Sequence, residues 1–400
     1  METTCVIAGG GPAGAMLGLL LARAGVDVTL LEKHADFLRD FRGDTIHPST
    51  LQVLDELGLA AEFHRLPHHK AYGMAMETDD GRVPIADLTR LHAKYRYIAF
   101  VPQWDFLNLI TAKAAEHSNF RLLMNAQVID LIREDGAVRG VRYRDEPGGE
   151  HEIRATLTVA ADGRGSDVRR AAGLVPKEYG APMDVVWFRL PRQEGDPGQP
   201  FLRASSGHLM VAINRETYWQ LAYVIPKGGF DHLRSEGIGT LRSTVARLLP
   251  FLENRVGRIR DFGDVSVLQV ALNRLSRWHL PGLLLIGDAA HAMSPVFGVG
   301  INLAVQDAVA TANIVGPALL RGEAPEALLA KVEHRRMVPT VITQAAQRMV
   351  QDRLIRPALD ARPLRVPPVA RLPVIGPLAR RFVGLGVLPE HVRLTQKGSH

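Results

Sequence analysis

Between an apolar run that reads as a buried strand (4–9, TCVIAG) and a run that reads as an apolar helix (12–24, PAGAMLGLLLARA), the chain places Gly9-Gly10-Gly11-Pro12-Ala13-Gly14. A second strand pattern, 27–32 (DVTLLE), follows and ends on Glu32. G-x-G-x-x-G in that setting predicts a strand–turn–helix–strand unit of about thirty residues, half of a dinucleotide-binding fold. Gly9 permits the tight turn, Gly11 lets the backbone approach a pyrophosphate, and Gly14 lets helix and strand pack closely. The helix N-terminus offers unpaired N–H groups and a positive dipole end to the phosphates. Glu32 is placed to accept hydrogen bonds from ribose hydroxyls and would repel a 2′-phosphate, so FAD or NAD fits better than NADP.

The remaining pattern predicts an α/β protein with an interleaved, mostly β insertion and a helical C-terminal region. A hairpin is expected at 71–77 and 82–87 around Asp79-Asp80-Gly81, and a helix at 104–116. Strands follow near 120–131, 138–144 and 151–161, then 184–191, 207–213, 217–225 and 263–270, with a helical stretch at 239–254. A strand at 282–287, a helix from 300 to 319 and helical pattern to about 360 close the series. The expected division is 1–70, 100–180 and 280–350 for the Rossmann-type nucleotide domain, 71–99 and 181–279 for the β-rich substrate domain. An extension at 351–397 completes it, Pro- and Arg-rich over 361–385, which would cover the site entrance, lie on a membrane surface or wrap the protein. No internal repeat and no low-complexity linker is visible.

Composition narrows the class. The single cysteine, Cys5, excludes an internal disulfide framework and fits a reducing cytoplasm. No charged leader with an apolar core precedes the first strand, and no apolar stretch is expected to be long enough to span a bilayer. A net charge of +6 would suit nucleic acid, but the arginines are scattered without interleaved aromatics, so a basic enzyme binding phosphorylated cofactors is preferred. No histidine, cysteine or acid spacing fits a metal site.

Two further motifs separate FAD from NAD. Gly287-Asp288-Ala289-Ala290-His291 follows the apolar strand, and Pro295, Gly298, Gly300, Asn302 and Asp307 lead into a helix. Asp162-Gly163-Arg164-Gly165-Ser166, with Arg169 behind it, stands between the first motif and this one. In order and spacing the three resemble the class A flavoprotein monooxygenases, the FAD-dependent aromatic hydroxylases. The resemblance covers residues 4 to about 310.

It implies FAD bound by Gly9, Gly11, Pro12, Ala13, Gly14, Glu32, Lys33, Arg42, Gln103, Val128, Asp162, Gly163, Asp288, Pro295, Gly298, Gly300, Ile301 and Asn302. Within that set, Asp288 and Gln103 would meet the ribityl chain, Val128 the adenine, and Arg42 the phosphates and the nicotinamide donor. Arg42, Pro295 and Gly298 would stand at the reacting centre. The helix end with the Gly298 and Gly300 amides would face the electron-accepting edge of the ring, where reduction places negative charge. His291 is read as a structural part of the fingerprint, and His47 as lining the cofactor channel or nothing.

The same resemblance implies a reaction: NADPH or NADH reduces FAD, dioxygen forms a flavin hydroperoxide, and a hydroxyl passes to an aromatic or other electron-rich, lipophilic small molecule. Trp187, Phe188, Met210, Trp219 and Tyr223 on the sheet-rich insert are the expected pocket-lining residues. A halogenase would carry W-x-W-x-I-P, whereas Trp187-Phe188-Arg189-Leu190-Pro191 lacks the second tryptophan. A reductase without oxygen insertion, or a silent FAD-binding protein, stays open as an alternative. Substrate identity and oligomeric state leave no mark in the sequence.

Overall fold

The computed structural model describes residues 1–38, 44–205, 207–360 and 375–393. Its first sheet is built on the predicted unit: strand Glu2–Ala8, helix Pro12–Ala24 and strand Val28–Leu31. Strands Leu283–Leu285, Glu150–Ala160, Glu2–Ala8, Val28–Leu31 and Phe120–Leu123 lie side by side in parallel. Parallel strands are buried on both faces, which is why they read as unbroken apolar runs rather than alternating ones. An antiparallel hairpin, Gln127–Glu134 with Ala137–Arg144, attaches along the first part of Glu150–Ala160. The expected single strand 120–131 is therefore two strands, parted near Asn125, which has a φ of +54°.

Helix Pro12–Ala24 packs on helix Gly300–Leu320, and Leu17, Leu20, Val305, Val309 and Ala312 share the core beneath the sheet. At 21 residues and largely apolar, Gly300–Leu320 overturns the expectation that no stretch is long enough to span a bilayer. Most of it is buried within the protein, which accounts for its composition: it is apolar all round because it is surrounded.

The second sheet runs Ser266–Leu268, Met183–Pro191, Tyr218–Pro226, His208–Asn214, Phe201–Ser205, Gly73–Thr78, Gly81–Asp87. It thus joins the early hairpin to strands more than a hundred residues later, through the parallel pairing of Phe201–Ser205 with Gly73–Thr78. Phe201–Ser205 was not expected, and 263–270 contracts to Ser266–Leu268. Also unforeseen are helix Pro48–Glu56 and a small sheet of Thr45–Ile46, Ile98–Phe100 and His69–Ala71. Elements of two or three residues are too short to show a period. One face of the large sheet is covered by helix Ile238–Leu248 and the turns Pro250–Arg258, and its other face is left to a cavity.

The C-terminal region is helical as expected, with Glu326–Val350 continuing to Leu359 and a separate helix Ile375–Leu385. Of the stretch 361–385, residues 361–374 lie outside the described residues. Helix Glu326–Val350 is tied in by a fully buried cluster. The Asp307 carboxylate accepts from Arg336 Nε (2.9 Å), from the Gly287 backbone N–H (3.0 Å) and from His291 Nε2 (2.7 Å). His291 is thus held as part of the scaffold, with no exposure to the cavity. Burial by itself would raise the Asp307 pKa, but the neighbouring His291 and Arg336 outweigh it and hold the carboxyl below its ordinary range.

Removing one member leaves the others uncompensated in a dry interior. Asp307→Ala is expected to cost about 3–5 kcal/mol of stability, read from urea denaturation. A loss under about 1 kcal/mol would show that the cluster holds nothing together.

Candidate active site

One cavity of about 1910 Å³ runs from the Gly9–Ala13 turn, past 126–128, 161–165 and Asp288, to the open face of the second sheet. Ligand pockets usually hold about 300–1,000 Å³. The space is sufficient for two molecules end to end.

At the first end, the glycines divide their work by what surrounds them. Gly9 has φ +101°, and a Cβ there would lie 2.5 Å from the Ala161 carbonyl oxygen. A Cβ on Gly14 would lie 2.0 Å from the Gly9 carbonyl oxygen, so Gly14 serves helix-on-strand packing and is not on the cavity wall. Above Gly11 there is nothing within 4 Å, which leaves the cleft open at the N-terminus of helix Pro12–Ala24. Glu32 is buried on the same wall, with Oε2 accepting from Gly10 N–H (3.0 Å) and Oε1 from His34 N–H (3.1 Å). An anion-favouring helix end beside a fixed carboxylate fits a pyrophosphate with an adjoining ribose. Lys33, Ala126, Gln127 and Val128 complete this part of the wall.

Two distant motifs meet next to it. Arg164 Nε donates to Asp288 Oδ2 (3.1 Å), and Arg169 Nη1 donates to the Ala289 carbonyl (2.8 Å). Asp162 lines the cavity as well, and its carboxylate accepts from Ser166 Oγ (2.5 Å) and Val168 N–H (3.1 Å), which shapes the loop. Burial raises its pKa against those bonds. Gly163, Arg164 and Asp288 line the cavity, so the Asp162–Ser166 and Gly287–His291 loops form one continuous strip.

Pro295–Gly298 makes a turn in which the Pro295 carbonyl accepts from Gly298 N–H (3.0 Å). Gly298 has φ +64°, and a Cβ there would press 2.7 Å from Thr45 Oγ1. Its carbonyl is gripped from behind by Thr45 Oγ1 (2.6 Å) and His47 Nε2 (3.1 Å), which leaves Pro295, Gly298, Gly300 and Ile301 on the cavity wall. His47 is therefore a support for this turn and not a wall residue. Asn302 is not on that wall either. Its side-chain oxygen accepts from Ser49 Oγ (2.8 Å) and Thr50 Oγ1 (2.6 Å), fastening helix Pro48–Glu56 to helix Gly300–Leu320.

Gln103 opens helix Gln103–Ala115 on the wall, and its backbone N–H donates to Asp44. Asp44 was not singled out from the sequence, although it follows directly on Arg42 and Gly43. Burial raises its pKa despite the Arg215 partner. Arg42 itself lies outside the described residues.

The expected substrate wall needs correction. Strand side chains alternate faces, and the cavity takes Met183, Val185 and Trp187, then Leu209, Val211 and Ile213, then Gln220, Ala222 and Val224. Of the expected residues only Trp187 has that parity. Phe188, Met210, Trp219 and Tyr223 belong to the opposite core under Ile238–Leu248. There Trp219 Nε1 donates to Asp196 (2.8 Å), and Tyr223 shares a hydrogen bond with His208 (2.7 Å). Large aromatics drew the sequence reading to the packed face, while the cavity face is made of smaller aliphatic residues. The described C-terminal helix adds Leu378, Phe382 and Val383 to the wall, with Phe382 edge-on to Phe297.

The donor set fits FAD: a phosphate-favouring helix end, a buried acid on the wall beside it, and backbone amides at a second helix end beside Asp288. A family model described as FAD binding domain matches residues 2–349. Such a fold and cleft define a FAD-dependent oxidoreductase. A 6-methylpretetramide 4-monooxygenase of Streptomyces rimosus is 33% identical over 388 residues, covering 95% of this chain and 92% of that protein. The chain belongs to the class A flavoprotein monooxygenase family. A 12-dehydrotetracycline 5-monooxygenase/anhydrotetracycline 6-monooxygenase of Streptomyces rimosus subsp. rimosus is 29% identical over 355 residues, or 84% of this chain and 67% of that one. The crystal structure of pqsL, a probable FAD-dependent monooxygenase from Pseudomonas aeruginosa, shares the fold. Its TM-score is 0.75 at 21% identity, over 90% of this chain and 98% of that one.

Gly11→Val places a side chain in the open cleft without a backbone clash. It is expected to keep the far-UV spectrum and to weaken FAD retention at least about tenfold, the effect of ~1–3 kcal/mol of overpacking; an unchanged flavin-to-protein ratio contradicts the assigned pyrophosphate end. The sheet parity gives a paired test. Met210→Ala should cost about 2–5 kcal/mol in stability, whereas Val211→Trp should block ligand entry in a protein of near-normal stability.

Proposed function

We propose that this chain hydroxylates a large, fused-ring aromatic molecule, using NADH or NADPH as electron donor and dioxygen as oxygen source. The observation that carries this reading is the second half of the cavity. It is broad and walled by Met74, Met76, Val185, Leu209, Val211, Ala222, Val224 and Leu268, and is continuous with the flavin strip at Pro295–Gly298. The two relatives act, by their names, on 6-methylpretetramide and on tetracyclines, whose name denotes four fused rings.

Bound FAD would supply the redox chemistry, taking a hydride from the nicotinamide and passing one oxygen atom of dioxygen to the substrate, the other leaving with a proton and the displaced hydrogen as water. The chain's own residues bind and exclude. Gly9–Ala13 and Glu32 would hold the adenosine diphosphate half, with Lys33 and Val128 beside it. Gly163, Arg164, Asp288 and Gln103 border the middle. The free N–H end of helix Gly300–Leu320 would favour negative charge on a ring edge held there. The apolar sheet face keeps water away from the reacting carbon, which protects against wasteful release of hydrogen peroxide. Arg42, Pro295 and Gly298 belong to the reacting centre in this reading. The buried single Cys5 accords with a reducing, cytoplasmic setting.

The test is a panel of hydroxylated anthracenes and naphthacenes added to the yellow protein with either donor under ¹⁸O₂. Substrate-stimulated donor oxidation with one labelled oxygen in the product is expected, and comparison of rates fixes the donor. Turnover with no label in the product would replace this reading by that of a reductase. Bromide- or chloride-dependent halogenation of the ring would replace it by that of a halogenase.

A further inference from the structure

Helix Glu326–Val350 is inverted: much of its packed side is polar, and the middle of its outward side is apolar. The inward residues Arg336, Thr340, Thr343, Gln344 and Gln347 are buried and hydrogen-bonded. Gln344 Nε2 donates to the Asn273 carbonyl (2.8 Å), and Gln347 Nε2 to the carbonyls of Ser294 (2.8 Å) and Val296 (3.0 Å). Those bonds hold the backbone beside the flavin turn and keep the helix from rolling. The opposite side carries Val338, Val341, Ile342, Ala345 and Met349, spaced as one stripe along the helix, and all five are exposed. β-Branched residues are mediocre helix formers, so a water-facing position gives no reason for them. Single exposed apolar residues need no explanation, but a contiguous stripe marks a surface that is covered in use.

The surrounding charges identify what covers it. Lys331 and Arg335 stand at one end of the stripe, and Arg348, Arg353 and Arg356 at the other, all of them exposed. The exposed acid among them, Asp352, is 3.4 Å from Arg356, and Arg335 pairs with Glu390 (2.7 Å). Lys331, Arg348 and Arg353 are left with no ion pair among the described residues. Two copies of the chain joined by a two-fold axis through this stripe would set basic ends against basic ends, whether the helices ran parallel or antiparallel. An apolar stripe between basic ends suits an anionic lipid surface instead, with Val341 and Ile342 entering the headgroup boundary and the cations meeting lipid phosphates. The stripe also leads to the large cavity, since Met349, Arg353 and Leu354 lie on its wall. We propose that the outward face of helix Glu326–Val350 docks on an anionic bilayer. Choosing lipid over an acidic protein rests on the fused-ring reading above, because such a substrate dissolves in the bilayer to which this face leads.

The experiment uses the FAD-loaded full chain and two sets of vesicles, phosphatidylcholine alone and phosphatidylcholine mixed with phosphatidylglycerol. Co-sedimentation is expected with the anionic set and should fall as salt is raised. Val341→Ser with Ile342→Ser, and separately Lys331→Glu with Arg348→Glu, should each weaken it at least about tenfold. The far-UV spectrum and the flavin-to-protein ratio should stay as in wild type, because all four positions are exposed. The chain's only cysteine, Cys5, is buried, so Ile342→Cys takes an environment-sensitive dye at one place. Its emission should move to the blue on adding anionic vesicles and stay water-like without them. Wild type that ignores both vesicle sets overturns the proposal, as does binding that both double variants retain. A blue emission from vesicle-free monomer overturns it by showing the face covered within the chain. A dimer in light scattering, lost in Val341→Ser with Ile342→Ser, overturns it in favour of a second copy. Capture on immobilised polyglutamate without vesicle binding overturns it in favour of an acidic protein. All of these leave the fused-ring reading standing, since labelled product alone judges that; vesicle binding without labelled product sinks that reading and upholds the docking.

Discussion

A carboxylate without access to water holds the flavin side of this protein in place. Asp307 projects from the middle of the long helix and takes hydrogen bonds from the Gly287 backbone, from His291 and from Arg336. Those three partners come from the loop after the last parallel strand and from the next helix. Their common acceptor thus fixes the Gly287–Asp288 loop against the helix whose free N–H end opens on the cavity. Because the interior around it is dry, each bond is strong and each is costly to lose, so the arrangement has one geometry. The Arg164–Asp288 and Arg169–Ala289 bonds then key the Asp162–Ser166 loop to it. Three stretches far apart in the chain become one strip.

The other side of the cavity depends on a strand period of two. The second sheet buries its aromatic face under Ile238–Leu248 and turns an aliphatic face to the cavity, so a single sheet provides both a rigid support and an apolar wall. The wall also carries a polar group. Asp44 and Gln220 are both bonded to Arg215, whose Nη1 is buried without a hydrogen-bond partner among the described residues.

Helix Ile375–Leu385 is joined to the flavin turn through one buried histidine. His47 has Nδ1 2.7 Å from the Val383 carbonyl and Nε2 3.1 Å from the Gly298 carbonyl. Burial lowers its pKa against the pull of those two carbonyls, which favours a neutral ring that donates to one carbonyl or the other according to its tautomer. The helix that adds Leu378 and Phe382 to the cavity wall and the turn at Gly298 are thereby coupled through a single side chain.

What the sequence determined by itself is the first strand–turn–helix–strand unit. The glycine spacing at 9–14 and the acid at Glu32 carry their structural meaning locally, because a tight turn, a helix start and a strand end are all set within about thirty residues. The Asp162 and Gly287 loops were legible as motifs, but not the direction of their side chains. Asn302 fastens a neighbouring helix, an outcome that depends on what tertiary packing brings beside it. The substrate wall was decided only by the folded protein. Trp187 and Phe188 are adjacent in sequence and equally apolar, and which of them meets the cavity depends on which face helix Ile238–Leu248 covers. That contact crosses some fifty residues of chain, and no local pattern encodes it.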